Sequence, residues 1–399
     1  MNGVTVRPLG EVAALQAGVG FPLDLQGRSN GKYPLAKVGD ISRGGRSGEA
    51  VLSSADHFVD EIDLERLRAK PIPAGSVLFA KIGEAIRQNH RVIAGCPLLI
   101  DNNAMAAIPG PEIESRYLYY FLRTVDFYRI ASATTVPALR KSELERIGVP
   151  LFALPEQRRI AEVLDRAEAL RAKRRAALAQ LDTLTQSIFL DLFGNPATNP
   201  KQWTRLPLGK VIATGPQNGI YKPSSDYGSG TPILRIDAFY DGAVTNLASL
   251  KRVRVSESER QLYGLHCGDV VVNRVNSMEY LGKSALIPDL DEPTIFESNM
   301  MRFSVDGEQV EPKYVVEFLQ TQFIKRQILT AAKNAVNQSS INQQDVTGFL
   351  INIPPLSLQQ TFVTQAAAVD KLKSAHRASL AKLDALFASL QHRAFRGEL

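Results

Sequence analysis

Two runs of the chain keep apolar residues at helical spacing for longer than an ordinary globular helix. The first, from about Glu156 to Leu192, places Ile160, Val163, Leu164, Ala167, Leu170, Leu178, Leu181, Leu184, Ile188 and Leu192 on one side. The second, from about Gln359 to Phe395, does the same with Phe362, Val363, Ala366, Val369, Leu372, Leu380, Leu383, Leu386, Phe387, Leu390 and Ala394. Val149-Pro150-Leu151 and Leu154-Pro155 lead into the first, Ile353-Pro354-Pro355-Leu356 into the second, and Gly194-Asn195-Pro196 and Gly397 supply the stops. A lone amphipathic helix this long cannot bury its stripe against itself and needs a partner of matching length. The other run supplies one. The pattern predicts an antiparallel coiled coil of two helices of about 36 residues, each roughly 54 Å long.

Ahead of each long run the pattern changes to short alternating or fully apolar segments, and these repeat at a shift near 200 residues. Pro8-Leu9-Gly10-Glu11-Val12 answers Pro207-Leu208-Gly209-Lys210-Val211. Tyr33 to Val38 answers Thr231 to Ile236, Gly75 to Lys81 answers Gly268 to Arg274, and Asn102-Asn103-Ala104-Met105 answers Ser298-Asn299-Met300-Met301. Tyr117 to Leu122 answers Tyr314 to Leu319, and Leu178 to Leu184 answers Leu380 to Leu386. Matches in one order at a near-constant shift identify a tandem duplication. The expected architecture is α+β: two β-rich domains at 1–153 and 195–353, each followed by a long helix at 154–194 and 354–399.

Composition adds little until charge is considered. The 399 residues are 44% hydrophobic and 22% charged, with a net charge of +6, which suits a polyanionic partner without specifying one. No stretch of about eighteen apolar residues occurs, and MNGVTVRPLGEVAAL lacks a basic-then-apolar profile, so a membrane role is not expected and a cytoplasmic location is. Cys96 and Cys267 fall at unrelated positions and read as buried small hydrophobes in a reducing compartment.

The five histidines lack paired spacing, so no metal site is expected. Gly39, Gly44, Gly45 and Gly48 are not set as a phosphate-binding fingerprint and read as a loop. Asn352-Ile353-Pro354-Pro355-Leu356 has only part of the loop with which amino-methyltransferases hold a flipped base. Asp289, Glu311 and Lys313 have the rough spacing of a Mg²⁺ nuclease centre, although Pro312 would interrupt the strand that normally presents the last two.

The tandem plan, the Val/Ile-Pro entrances Val149-Pro150 and Ile353-Pro354, the stretch Leu154-Pro155-Glu156-Gln157-Arg158-Arg159-Ile160-Ala161, the phrase Ala133-Thr134-Thr135-Val136-Pro137-Ala138-Leu139 and the closing Ala394-Phe395-Arg396-Gly397-Glu398-Leu399 together resemble the specificity subunit of type I restriction-modification enzymes. Leu358-Gln359-Gln360 stands against Pro155-Glu156-Gln157, a looser second entrance. The resemblance implies a non-catalytic subunit whose two target-recognition domains each read one half of a split, asymmetric double-stranded DNA site. It implies that the helices set the gap and dock two modification subunits, adenine methyltransferases, alongside restriction subunits. S-adenosylmethionine, ATP and Mg²⁺ then belong to the partners, with no cofactor in this chain. On the helices the candidate partner contacts are Arg158, Ile160, Leu164, Arg171, Phe362 and Leu372.

Bases are read in the major groove by Arg, Lys, Asn and Gln on loops near strand ends, while phosphate contacts set position. In the first domain the candidates are Arg43 and Arg46 among the glycines, Lys81 and Arg87 after the buried strand, Asn89, and Arg140 with Lys141. In the second they are Tyr221, Lys222, Arg274, Asn276, Lys333, Asn337, Gln338 and Ser339. Equivalence in the repeat singles out Lys81 and Arg274. Lengthening the first helix by about two turns between Gln180 and Ser187 is expected to change the tolerated gap but not the half-sites. A stand-alone Mg²⁺ nuclease and a helix-mediated protein adaptor without a DNA role are the alternatives.

Overall fold

The structure, a computed structural model, describes residues 4–132, 135–245, 247–335 and 338–399. The chain divides into two units, Met1–Ala177 with His376–Leu399, and Leu178–Ala375. Each unit holds one β-rich domain and a stretch of both long helices, Leu154–Phe193 and Leu356–Ala394.

In the first unit a five-stranded sheet runs in the order Ala13–Ala17, Ala104–Pro109, Val77–Ala80, Arg91–Ala94, Val51–Leu52. Its centre, Val77-Leu78-Phe79-Ala80, is buried at every position, because it pairs antiparallel on both sides and has side chains packed over both faces. A smaller sheet orders Phe58–Val59, Tyr33–Ala36, Leu99–Ile100, with the last pair parallel. In the second unit the central strand Val270–Asn273 is likewise buried throughout. Its sheet runs Ile212–Asn218, Met300–Val305, Val270–Asn273, Ser284–Leu286, Gly242–Val244, Phe239–Tyr240. The smaller sheet orders Lys251–Val253, Tyr227–Leu234, Ile295–Phe296, again with a parallel last pair.

The duplication extends to individual hydrogen bonds. Tyr117 donates its hydroxyl to Pro150 O, and Tyr314 donates to Asn352 O. Gln157, fully buried, accepts from Glu114 N–H at 2.8 Å and donates to Glu112 O at 2.9 Å and Phe152 O at 2.8 Å. Gln359, also fully buried, accepts from Glu311 N–H at 2.9 Å and donates to Gln309 O at 3.3 Å and Pro354 O at 2.8 Å. Each amide clasps the start of a long helix to its own domain. These bonds correct the sequence alignment by one residue, since Gln359 answers Gln157. Strand pairing corrects the entrances too. Leu151 faces Thr5 and Ile353 faces Thr204, so Asn352, not Pro354, is the counterpart of Pro150. Asn352 is buried, accepting from Arg205 Nε and donating to Pro196 O, which commits it to the fold rather than to a base.

The long helices pack antiparallel within each unit. In the first, Ile160, Leu164 and Ala167 join Phe387 and Ala394 in the domain's core. In the second, Phe189 and Phe193 pack on Phe362, with Ala366 in the same core. Ion pairs cross the seam in both units, Arg171 to Asp384 at 2.6 Å, with Arg175 3.7 Å from the same carboxylate, in the first and Lys373 to Asp182 at 3.1 Å in the second. Shifted by the repeat, the Arg171–Asp384 pair becomes Lys373–Asp182, so the same contact is used in both units. Leu170, Leu184, Leu372 and Leu386, read from sequence as part of the buried stripe, are 40–52% exposed. The stripe turns on Phe189 and Phe193 instead.

Two local readings change. Val38–Ser47, with Gly39, Gly44 and Gly45, is a helix rather than a loop, and Gly48 ends it in the left-handed conformation (φ 79°) that a residue without Cβ adopts freely. Cys267 is exposed and Cys96 only partly buried, so neither is a core hydrophobe.

Candidate nucleic-acid interface

The central strand of each large sheet runs into one basic residue, held in the same way. Lys81 follows Val77–Ala80; its N–H donates to Asn103 O at 2.7 Å and its carbonyl accepts from Leu139 N–H at 2.9 Å. Arg274 follows Val270–Asn273; its N–H donates to Asn299 O at 2.8 Å and its carbonyl accepts from Ile341 N–H at 3.0 Å. Both bonds bring the segment before a short helix beside the strand end. In the first unit that segment carries Arg140, exposed at the start of the helix Lys141–Glu145. In the second it forms a small sheet in which Val275–Asn276 pairs with Gln338–Ser340, and that strand pairs with Lys333–Ala335. Arg274, Asn276, Lys333 and Gln338, scattered in sequence, are thereby gathered.

The other candidates divide by what their side chains already hold. Arg46, Lys81, Arg140 and Lys333 have no side-chain partner among the described residues. Arg274 donates to Ser298 O at 3.1 Å, and its buried Nε is unpaired. Arg43 grips Asp56 through two bonds of 3.2 and 2.6 Å, and Arg87 holds Glu84 while stacking on the Tyr128 ring. Lys141 lies 3.7 Å from Glu145. Asn276 Oδ1 accepts from Ser277 N–H at 2.8 Å.

Asn89 is a structural residue instead: in the left-handed region (φ 52°), it donates to Val125 O and accepts from Arg91 and from Phe127 N–H. Lys222 is paired with Glu259 at 2.7 Å and 15% exposed. Its neighbour Tyr221 is 77% exposed and lines the same cavity of about 370 Å³ with Tyr227, Arg235, Lys251 and Ser298. Arg235, which holds Glu297 at 3.2 Å, Lys251 and Ser298 come from strands and turns far apart in the chain, so no spacing in sequence joins them. Asn337 lies outside the described residues, as do Ala133 and Thr134.

Among the helix candidates, Ile160, Leu164 and Phe362 are buried in the chain's own cores, and Arg171 is 14% exposed between Glu168 and Asp384. These four are taken up within the chain's own packing, whereas Arg158 and Leu372 are exposed.

Among the described residues no three His, Cys, Asp or Glu side chains could together hold a metal ion. Lys313 is instead paired with Glu317 at 3.1 Å and Asp370 at 3.4 Å, and Pro312 opens a helix rather than interrupting a strand. No helix of the described residues is long and apolar enough to cross a membrane.

The first unit also collects cations that sequence spacing did not reveal. Arg91 is buried beside Arg123, and burial first and that neighbour second pull its guanidinium down to about 9. His90 is held below the ordinary imidazole value of 6.5 by burial and by Arg46, Arg91 and Arg123. As the pH falls through 6.5 the unfolded chain therefore takes the proton first, and stability is lost down to the depressed folded value. Acidification over this window is expected to lower the melting temperature of the wild type and to lower that of His90→Gln less. Equal losses in the two proteins would rule His90 out as the source.

Similar folds occur in two solved structures. An S subunit of a type I restriction-modification system from M. genitalium aligns over 98% of this chain and 96% of its own, with a TM-score of 0.57 and 14% identity. A second chain, from work on complex assembly and conformational transition of the type I R-M system, aligns over 100% and 99%, with a TM-score of 0.58 and 18% identity. The fold is thus that of a duplicated α+β protein, shared with these two chains. Residues 1–180 match the family described as type I restriction modification DNA specificity domain. The type I restriction enzyme EcoKI specificity subunit of Escherichia coli (strain K12) is 23% identical over 100% of this chain and 89% of its own length. The StySPI specificity subunit of Salmonella potsdam is 23% identical over 73% and 67%. The chain is thus similar to the specificity subunits of type I restriction-modification systems, along its whole length in the case of the EcoKI subunit.

Proposed function

We propose that this subunit reads a two-part, asymmetric DNA target, one half with each unit, and performs no catalysis itself. The observation that carries the reading is the equivalent placement of Lys81 and Arg274 at the ends of buried strands, with different residues gathered around each. A shared frame supports both halves, and the differing surroundings, Arg140 in one and Asn276, Lys333 and Gln338 in the other, make the halves unlike.

Two modification subunits dock on the long helices in this proposal, with restriction subunits completing the complex. Leu170 and Leu386 in the first unit, and Leu184 and Leu372 in the second, are half-exposed apolar residues beside the ion pairs that cross the seam. Such duplicated apolar surface suits two copies of one partner. S-adenosylmethionine, ATP and Mg²⁺ are assigned to those partners.

Mapping methylated adenines in cells with and without the subunit tests the reading. A split motif is expected to appear only with it. Arg274→Ala is expected to relax one half and Lys81→Ala the other, each by the roughly 1–3 kcal/mol of a base contact. If either variant weakened all sequences uniformly, its residue would be a phosphate contact. Loss of no methylation at all without the subunit would refute the proposal.

A further inference from the structure

The cationic cavity of the first unit lies among the helix Val38–Ser47, the strand Arg91–Ala94, the helix Ser115–Thr124 and the first long helix. It has a volume of about 480 Å³, and Arg46, Arg91, Arg123 and Arg175 line it with His90 and a single carboxylate, Glu168. That carboxylate is already shared, lying 2.6 Å from Arg171, 3.3 Å from Arg175 and 3.5 Å from Arg123. Asp384 approaches only Arg175 among the lining residues, at 3.7 Å. Arg46 has no partner among the described residues. Arg91 is 3% exposed; its terminal nitrogens donate to His90 O and Asn89 Oδ1, while its Nε is buried without a partner, as is His90 Nδ1.

A buried cation left without an anion is costly, and here Arg91 has no carboxylate partner among the described residues while Arg123, Arg171 and Arg175 share Glu168. The scaffold does not require them. In the second unit the strand position that faces Val272, as Arg91 faces Phe79, is Ser284, and the position six residues after Tyr314, as Arg123 follows Tyr117, is Gln320. A frame that folds with serine and glutamine there carries the arginines for another reason. Forked donors around a concave space, with one carboxylate and excess positive charge, suit a tetrahedral oxyanion.

We propose that this cavity binds one phosphate group, supplied either by a free phosphate compound or by the DNA backbone. The assignment does not rest on the DNA reading, because it predicts binding when no DNA is present. Inorganic phosphate titrated into the full chain at constant ionic strength, followed by ³¹P NMR, is expected to show saturable one-to-one binding. Arg46→Ala and Arg123→Gln, checked for an unchanged melting temperature before phosphate is added, are each expected to bind about tenfold more weakly. Displacement of the bound phosphate by a duplex of unrelated sequence would assign the site to the backbone, and retention would assign it to a free phosphate compound. No saturable response from the folded wild type, or full affinity in both variants, would overturn the proposal.

Discussion

Adding one heptad to both long helices, after Ala177 in the first and after Ala375 in the second, is expected to widen the gap between half-sites by about three base pairs. Seven residues lengthen a helix by roughly 10.5 Å, and a duplex rises about 3.4 Å per base pair. The half-sites themselves should be unchanged, because every recognition candidate lies outside the insertion. Methylation at the original spacing should disappear, which makes this the largest functional effect expected of any variant. Both helices must be lengthened. Insertion in the first alone, between Gln180 and Ser187, would shift Phe189 and Phe193 away from Phe362 while Asp182 and Lys373 are pulled out of register. In place of the change of gap expected from sequence, that single insertion is expected to unfold the second unit's helix pair, because the packing it breaks lies within that unit. Methylation mapping reads the outcome, and a double insertion that still modifies the original spacing would show that the helices do not set the distance.

Replacing Gln157 by leucine is expected to cost about 3–5 kcal/mol of stability, measured by chemical denaturation. Leucine fills a similar volume but leaves Glu114 N–H, Glu112 O and Phe152 O without their buried partner. Gln359→Leu removes the matching partner from Glu311 N–H, Gln309 O and Pro354 O and should cost a similar amount. The two sites lie in different units, so the double variant should lose the sum. Hydrogen exchange would show where each loss falls, with protection reduced around Glu114 in one variant and around Glu311 in the other. A loss below about 1 kcal/mol would mean that water replaces the amide at these helix starts.

Most of the frame was legible along the chain, for a physical reason. Helical and strand periodicities arise from local geometry, and a duplication preserves them twice, so the tandem α+β plan, the paired long helices and the equivalence of Lys81 and Arg274 all appear as patterns in order. The register was harder to see. Pro150 and Pro354 look alike as letters, but the ladder that sets Ile353 against Thr204 makes Asn352 the true counterpart.

What only the tertiary structure decided is which side chains remain available. Ile160, Leu164 and Phe362 sit on an apolar face whether that face meets this chain or another, and only packing shows that this chain's own cores take them while Leu170, Leu184, Leu372 and Leu386 stay half exposed. Asn89 and Lys222 have the chemistry of base readers, yet a left-handed turn and a short ion pair hold them within the fold. The arginines of the cationic cavity come from four separate elements, and no spacing in sequence joins them, because their proximity depends on long-range contacts rather than on the local geometry that periodicity reports.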